Sequence, residues 1–457
     1  MARNQIGRRS FLGLSAATVL AGCCTTRKSC GAEGRIATFN ADVTPPLGTP
    51  IYSSFKPLEV IEQPLQAKGV IIDDGSARYV LCAVDYCELC NSTYTRWRKA
   101  VADAAGADPC RVALHTVHQH TAPMLDEESF PILDSQASPC VHSSVESIDI
   151  PLQRLISAVH AAQSQFQPYN HVGTGQAKAE RVASNRRIPN GDGTVTTRFS
   201  SCKDPKLVDA PEGLIDPYVK TITFANGDKP VARLHYYATH PQSFYGDPRS
   251  SIDFPGMARE WLEKQEGVFQ VYFTGCGGNV AAGKYNDASR EARQGLYERL
   301  RAAMKAAADS TQYAPASPVT LRSAPLALTP RSGGPWSQAE LDAQLAKADA
   351  HPNARSGAAM FIAFRDRANV PLELTSMQMG GLFILNLPGE VAVEFQLFAQ
   401  ELRPDKFVAV AAYGDCAPAY INLEKFTAEG GYEPTASHSI PQSEQPMRDA
   451  IRKLLSV

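Results

Sequence analysis

Val112-Ala113-Leu114, followed closely by His118-Gln119-His120-Thr121-Ala122-Pro123, is the stretch that decides how this chain reads. The short apolar run has the character of a buried strand, and Pro123 ends regular pairing just beyond it. If the strand runs on to His120, side chains two apart point the same way. Two imidazoles then share one face at a strand end. One can bind a divalent metal through nitrogen while the other works on water or substrate. An isolated His-x-His is more often a pair of ordinary core or surface histidines, so the metal reading rests on what accompanies it.

Working outward, Ala67 to Ile72 and Tyr79 to Val84, with Asp73-Asp74-Gly75 between them, predict a hairpin ended by Asp85. A helix from about Thr93 to Ala104 then leads into the strand that delivers His118, a βαβ-like alternation. Residues 126–147 read as loop, and Ile150 to Gln163 as an amphipathic helix. Ser184-Asn185-Arg186-Arg187 falls in a polar loop. Tyr218 to Ala225 and Val231 to Tyr237 predict a second hairpin, turning at Asn226-Gly227-Asp228 and running into Thr239-His240-Pro241. A helix through Glu263 and a strand from Gln270 to Phe273 follow, ending in Gly275-Cys276-Gly277-Gly278-Asn279, where backbone can come close to a neighbour. Helices are expected over 288–308 and 337–350, joined by a Pro- and Ser-rich crossover. Leu372 to Leu387 is strand-like and ends in Pro388-Gly389-Glu390; a helix to Leu402 and a strand from Phe407 to Ala412 follow, then a loop holding Tyr413, Tyr420 and Tyr432. No internal repeat or clean linker is visible. The expectation is an α/β fold, mixed β-sheets layered with helices, in one large catalytic-type domain over residues 36–457.

Composition bounds the function. With 457 residues, 20% charged and 44% apolar, the chain has the make-up of a globular protein with a large core. A formal net charge of −2, with no basic block beyond the extreme N-terminus, argues against nucleic acid as a partner. Arg8-Arg9-Ser10-Phe11-Leu12-Gly13 is a twin-arginine export pattern. The apolar run Phe11 to Ala21 is too short for a bilayer span, which takes about 20 residues. It ends in Leu20-Ala21-Gly22-Cys23, a lipobox pattern. Residues 1–22 are therefore expected to be removed as a signal peptide, Cys23 to carry lipid, and residues 23–35 to form a tether. The mature protein would be periplasmic or membrane-anchored. Eleven cysteines suit an exported protein, and beyond the tether they are expected as free thiols or one or two disulfides. Cys87 and Cys90 form a lone Cys-x-x-Cys, which cannot complete a four-ligand structural zinc site.

Three side chains share one pattern: His118, His240 and Glu390 each follow an apolar strand and sit beside proline or glycine. Strand ends are where α/β folds gather their working groups. Two neutral imidazoles and one carboxylate, with a position left open for water, form a catalytic zinc set. Taken singly, His240 reads as a capped turn histidine and Glu390 as a helix N-terminal carboxylate. Their long spacing adds no specificity of its own.

The chain resembles the neutral (alkaline, non-lysosomal) ceramidase family in its bacterial members. Six segments carry the resemblance in family order: Asp42 to Gly48, His118 to Pro123, Ser184-Asn185-Arg186, Thr239 to Ser243, Pro388-Gly389-Glu390, and the tyrosine-rich stretch from Ala419 to Glu433. It implies Zn2+ held by His118, His240, Glu390 and a tyrosine, Tyr420 by its local pattern with Tyr432 in reserve. It gives His120 the proton work, and sets Asn185, Arg186 and Tyr432 against the substrate. It implies an exported zinc hydrolase of an amide (N-acyl) or ester bond, with a small-molecule or lipid-like substrate. Two departures point away from ceramide itself. Ala281, in Gly278-Asn279-Val280-Ala281-Ala282, stands where the family has a serine important for activity, and alanine has no hydroxyl to attack or donate. No stretch here matches the family's immunoglobulin-like C-terminal domain. A zinc hydrolase of cell-wall or glycan-derived substrates, and a lipid-anchored binding protein on the same fold, are the rival expectations.

Overall fold

The same connection occurs three times: an antiparallel hairpin, a crossover helix, and a third strand parallel to the second. In a computed structural model that describes residues 34–52, 54–244 and 246–456, the first unit runs Gln66–Asp73, Arg78–Val84, helix Asn91–Ala105, Val112–Thr116. The second runs Tyr218–Asn226, Lys229–Tyr237, helix Asp253–Glu266, Phe269–Thr274. The third runs Leu372–Met379, Leu382–Asn386, helix Val393–Leu402, Phe407–Ala411. Each unit anchors one sheet, of five, five and four strands. Parallel strands need a crossover, and a helix covering the sheet supplies it. This is the expected mixed α/β fold, in one domain. The expected signal peptide, Cys23 and nearly all of the tether lie outside the described residues; the strand Gly34–Asp42 begins at the tether's far end.

Alternation along the strands builds the layers. In the first sheet Val70, Ile72, Leu81 and Ala83 face the other sheets, meeting Ile222 and Leu234 of the second and Ile384 and Ala409 of the third in a common core. Ile71, Val80, Cys82 and Val84 face the opposite way, onto Trp97 and Val101 of one helix and Leu152, Leu155 and Val159 of Val145–Ala162. The third sheet turns Leu374, Phe383 and Val410 onto Phe395 and onto Ile451 and Leu454 of the final helix, Glu444–Leu455.

The last strands of the three units meet and exchange backbone hydrogen bonds just beyond their ends. Thr116 N–H donates to the Tyr413 carbonyl at 2.8 Å, Ala412 N–H to the Thr274 carbonyl at 2.9 Å, and the Thr274 hydroxyl to the Val117 carbonyl at 2.7 Å. The carboxyl ends of strands from all three sheets are thereby held together.

The structure corrects the sequence expectations in five places. The strand ends at Thr116 rather than His120, because His118 takes a left-handed backbone (φ 69°) that no ladder accepts. Residues 126–147 are not all loop: Ser129–Asp134 is helical, too short for periodicity to reveal, and docks Leu133 against Leu341 and Phe361. The Pro- and Ser-rich crossover holds two strands, Gln312–Pro315 and Val319–Leu326; both are sheet edges, where proline is tolerated. The helix expected over 337–350 ends at Ala346, and a second, Pro352–Asp366, follows, with Pro352 in its first turn. Ser184–Asn185 is not in a polar loop but pairs with Val280–Ala281 and is buried. All eight cysteines among the described residues are free thiols.

One buried ion pair ties the first unit to the second. Asp85, at the end of its strand, accepts two 2.8 Å hydrogen bonds from Arg259 of Asp253–Glu266, and both side chains are wholly buried. Such a pair adds modest net stability, but removing one partner strands the other charge. Arg259→Met is expected to lower unfolding stability by about 3–5 kcal/mol, read from the urea midpoint at constant m-value; a loss within about 0.5 kcal/mol would contradict this account.

Candidate metal centre

Each unit sends side chains from its strand ends to one point. From the first, His118 N–H is held by the Tyr86 carbonyl at 2.8 Å, and the left-handed turn at His118 sets its ring at 90° to that of His120, centroids 5.0 Å apart. The second supplies His240, bridged to Ala281, with its N–H on the Val280 carbonyl at 2.9 Å. The third supplies Glu390, in register with Tyr420 where Glu390–Val391 runs parallel to Tyr420–Ile421. Two glycines make room. A Cβ on Gly278 would come within 2.5 Å of the Glu390 carbonyl, and Gly389 has φ 60° with the Ala419 carbonyl 2.7 Å from where its Cβ would lie.

His118 Nε2 lies 3.2 Å from Glu390 Oε2, and His240 Nε2 lies 2.9 Å from the same oxygen. The tautomers follow from the outer nitrogens. His118 Nδ1 is 2.9 Å from the Cys87 carbonyl and His240 Nδ1 is 2.7 Å from the Gly277 carbonyl. A carbonyl only accepts, so each Nδ1 carries its proton, and a neutral ring then has a lone pair on Nε2. Glu390 Oε2 is buried and has no hydrogen-bond partner. Three lone-pair donors thus converge in a dry place, an arrangement that repels itself unless a positive charge sits among them. The residues fit a divalent cation, with oriented imidazoles as metal sites use them. Burial opposes a charge on Glu390, but His118 and His240 outweigh it and hold its carboxyl well below the usual range. Burial also opposes a charge on His118, yet Glu390 pulls it up; His240, facing Arg186 as well, is held low by its burial. The whole cluster demands positive charge.

The tyrosine and arginine complete the ring. Tyr420 Oη is 3.3 Å from His240 Nε2, and an Arg186 guanidinium nitrogen is 3.2 Å from Tyr420 Oη and 3.4 Å from His240 Nε2. Burial raises the Tyr420 phenol, although Arg186 opposes the shift. His120 Nε2 lies 3.4 Å from His118 Nε2, and burial followed by the charges of His118 and His240 pushes its pKa well down, leaving it neutral. Tyr432 sets its ring at 83° to Tyr420, centroids 5.6 Å apart. Asn185 stands back from the centre: its amide donates to the Leu214 carbonyl and accepts from Arg187 N–H, so it holds the turn that presents Arg186.

Three groups at the site escaped the sequence reading. Tyr413 stacks on His118 at 4.3 Å, Tyr52 meets His120 edge-on at 4.9 Å, and Glu88 is a second buried carboxylate, 4.0 Å from His118 Nδ1. Tyr52 and Glu88 follow turns rather than periodic runs; their one signal was their place just beyond the opening segment and just beyond Asp85. A cavity of about 270 Å³ opens onto Glu390, Glu88, Tyr52, Tyr420 and Tyr432, walled by Trp336, Leu341, Ala358 and Met360. No helix among the described residues is long and apolar enough to cross a membrane.

No protein-family model and no curated protein sequence matches this chain. Among solved structures, neutral ceramidase from Pseudomonas aeruginosa matches with a TM-score of 0.68 at 14% identity, covering 93% of this chain and 75% of that one. A structure of ceramidase complexed with C2 gives a TM-score of 0.67, also at 14% identity and over 93% and 75% of the two chains. The resemblance is thus one of fold, and the fold that carries this centre is that of the neutral ceramidases.

Proposed function

We propose that this protein is a zinc-dependent hydrolase that cleaves an amide (N-acyl) or ester bond in a lipid-like substrate, and that it is exported and anchored through lipid on Cys23. The observation that carries the chemistry is the meeting of His118 Nε2 and His240 Nε2 at 3.2 and 2.9 Å from Glu390 Oε2, beside a cavity whose walls are partly apolar. Those three side chains would hold the ion, with Tyr420 as the fourth ligand. Bound there, zinc supplies Lewis-acid polarisation of water and of the scissile carbonyl.

The rest falls to the chain's own groups. Neutral His120 accepts the proton of the attacking water and returns it to the leaving group. The Tyr420 side chain, and the Arg186 guanidinium 3.2 Å from its Oη, would stabilise a developing oxyanion. Trp336, Leu341 and Met360 exclude bulk water and favour an acyl chain. Ala281 is buried beside His240 and offers no hydroxyl, so water rather than a side chain is the attacking group. Ceramidase fold neighbours support amide hydrolysis; the leader Arg8-Arg9 and the Leu20 to Cys23 pattern support export and acylation.

Three measurements test this reading. Plasma mass spectrometry of purified protein is expected to find about one zinc per chain, falling at least tenfold in His118→Ala, His240→Ala and Glu390→Ala; an unchanged content in any one removes that ligand. On a panel of N-acyl amides and esters, His120→Ala is expected to lower kcat by about 10²–10⁴-fold while keeping the metal; no turnover of any substrate by the wild type would favour the binding-protein alternative. Cys23→Ser is expected to abolish incorporation of labelled palmitate in bacterial cells, and retained label would refute the anchor.

A further inference from the structure

Glu88 is a buried carboxylate that the metal centre does not use. It lies in the two-residue strand Glu88–Leu89, paired with Met124–Leu125, and its side chain is 6% exposed. Its Oε2 has the Cys90 thiol at 3.6 Å, a weak donor. Its Oε1 approaches His118 Nδ1 at 4.0 Å, but that nitrogen already gives its proton to the Cys87 carbonyl. A carboxylate offers about four acceptor sites, and here they are largely unmet inside the fold. Burial, with the charge of Glu390 adding to it, pushes the Glu88 carboxyl up to about 7, and a positive charge brought beside it would hold it ionised. The side chain nevertheless lies on the wall of the cavity that leads to Glu390, so a ligand can reach it.

The surroundings select the ligand's chemistry. Four aromatic rings, Tyr52, Trp336, Tyr420 and Tyr432, line the same cavity. Ring faces attract a cation, and a carboxylate adds charge and acceptors. Arg186, the buried cation of the metal centre, turns to Tyr420 and His240. A neutral chain would leave Glu88 unpaired, and an anionic group would face its carboxylate. A protonated primary amine meets every requirement at once.

Resting on the reading of this cavity as the substrate pocket, we propose that Glu88 is a specificity-determining residue and that the substrate is an N-acylated molecule carrying a second, free primary ammonium, which Glu88 and the surrounding rings hold while the acyl nitrogen lies at the metal centre. Glu88 binds and orients; it takes no part in bond cleavage.

Two arms on the zinc-loaded full chain test this. The first compares N-octanoyl-1,4-diaminobutane with its uncharged analogue N-octanoyl-pentylamine. The wild type is expected to favour the cation by about tenfold or more in kcat/KM, and Glu88→Gln to bring the ratio close to one. The second measures binding of hexylammonium against hexanol by calorimetry, with zinc content checked on the same samples. Hexylammonium is expected to bind the wild type, and Glu88→Gln at least about tenfold more weakly, with hexanol indifferent to the change. An unchanged ratio, an equal loss on both substrates, or loss of zinc in Glu88→Gln overturns the assignment, the last by making Glu88 a support of the metal centre. Failure of the wild type to bind hexylammonium overturns it too. If the wild type cleaves neither amide, the hydrolase reading fails while the calorimetric arm still decides the role of Glu88.

Discussion

Three lone pairs pointing at one another are the constraint around which this molecule is built. Nothing in the folding of a hydrophobic core favours placing His118 Nε2 and His240 Nε2 at 3.2 and 2.9 Å from Glu390 Oε2 in a dry interior. The arrangement persists because every approach to it is fixed by backbone: the carbonyls of Cys87 and Gly277 lock both imidazoles, and the strand ends that carry them are bonded to one another. The three repeated units are the means. A parallel strand must end beside its neighbour, so each unit offers two carboxyl ends at one edge, and joining three such edges yields six chain segments around one point.

Charge is handled in a second layer. The neighbouring arginines divide the work. Arg186 faces Tyr420 and His240, while Arg187 is spent on Glu433 at 2.8 Å and Glu429 at 2.9 Å. Those two acids belong to the segment that carries Tyr432, so Arg187 fixes the aromatic wall while Arg186 serves the centre. Asn279 has a comparable supporting part: it accepts from Val393 N–H and donates to Glu394, capping the helix that follows Glu390. Its place in the family-like segment is explained by that cap, with no role at the reacting atoms needed.

Much of the cavity lies outside the three repeated units. The helices Gln338–Ala346 and Pro352–Asp366 and residues 419–438 form one side of it, while Glu88 and Glu390 reach it from the first and third units. The units therefore set the chemistry, and an added layer together with Glu88 sets what can reach it. That division is consistent with a chain that shares 14% of its residues with neutral ceramidase and still keeps the fold over 93% of its length.

Strand and helix periodicity found both hairpins of the first two units, all three crossover helices and the strands after them, because amphipathic patterning is a local property. It placed His118, His240 and Glu390 at strand ends for the same reason. It could not find Ser129–Asp134, whose single turn and a half has no period, or the proline-bearing edge strands, whose composition imitates a linker. Nor could it find Tyr52, Glu88 and Tyr413, which reach the centre from turns where no pattern points inward. The sequence by itself determined the elements of the three units and which of them end in a side chain able to ligate a metal. Only the tertiary structure decided that three such ends, spread from His118 to Glu390, would meet: that depends on long-range backbone pairing and on the left-handed turn at His118, neither of which leaves a periodic trace in the chain.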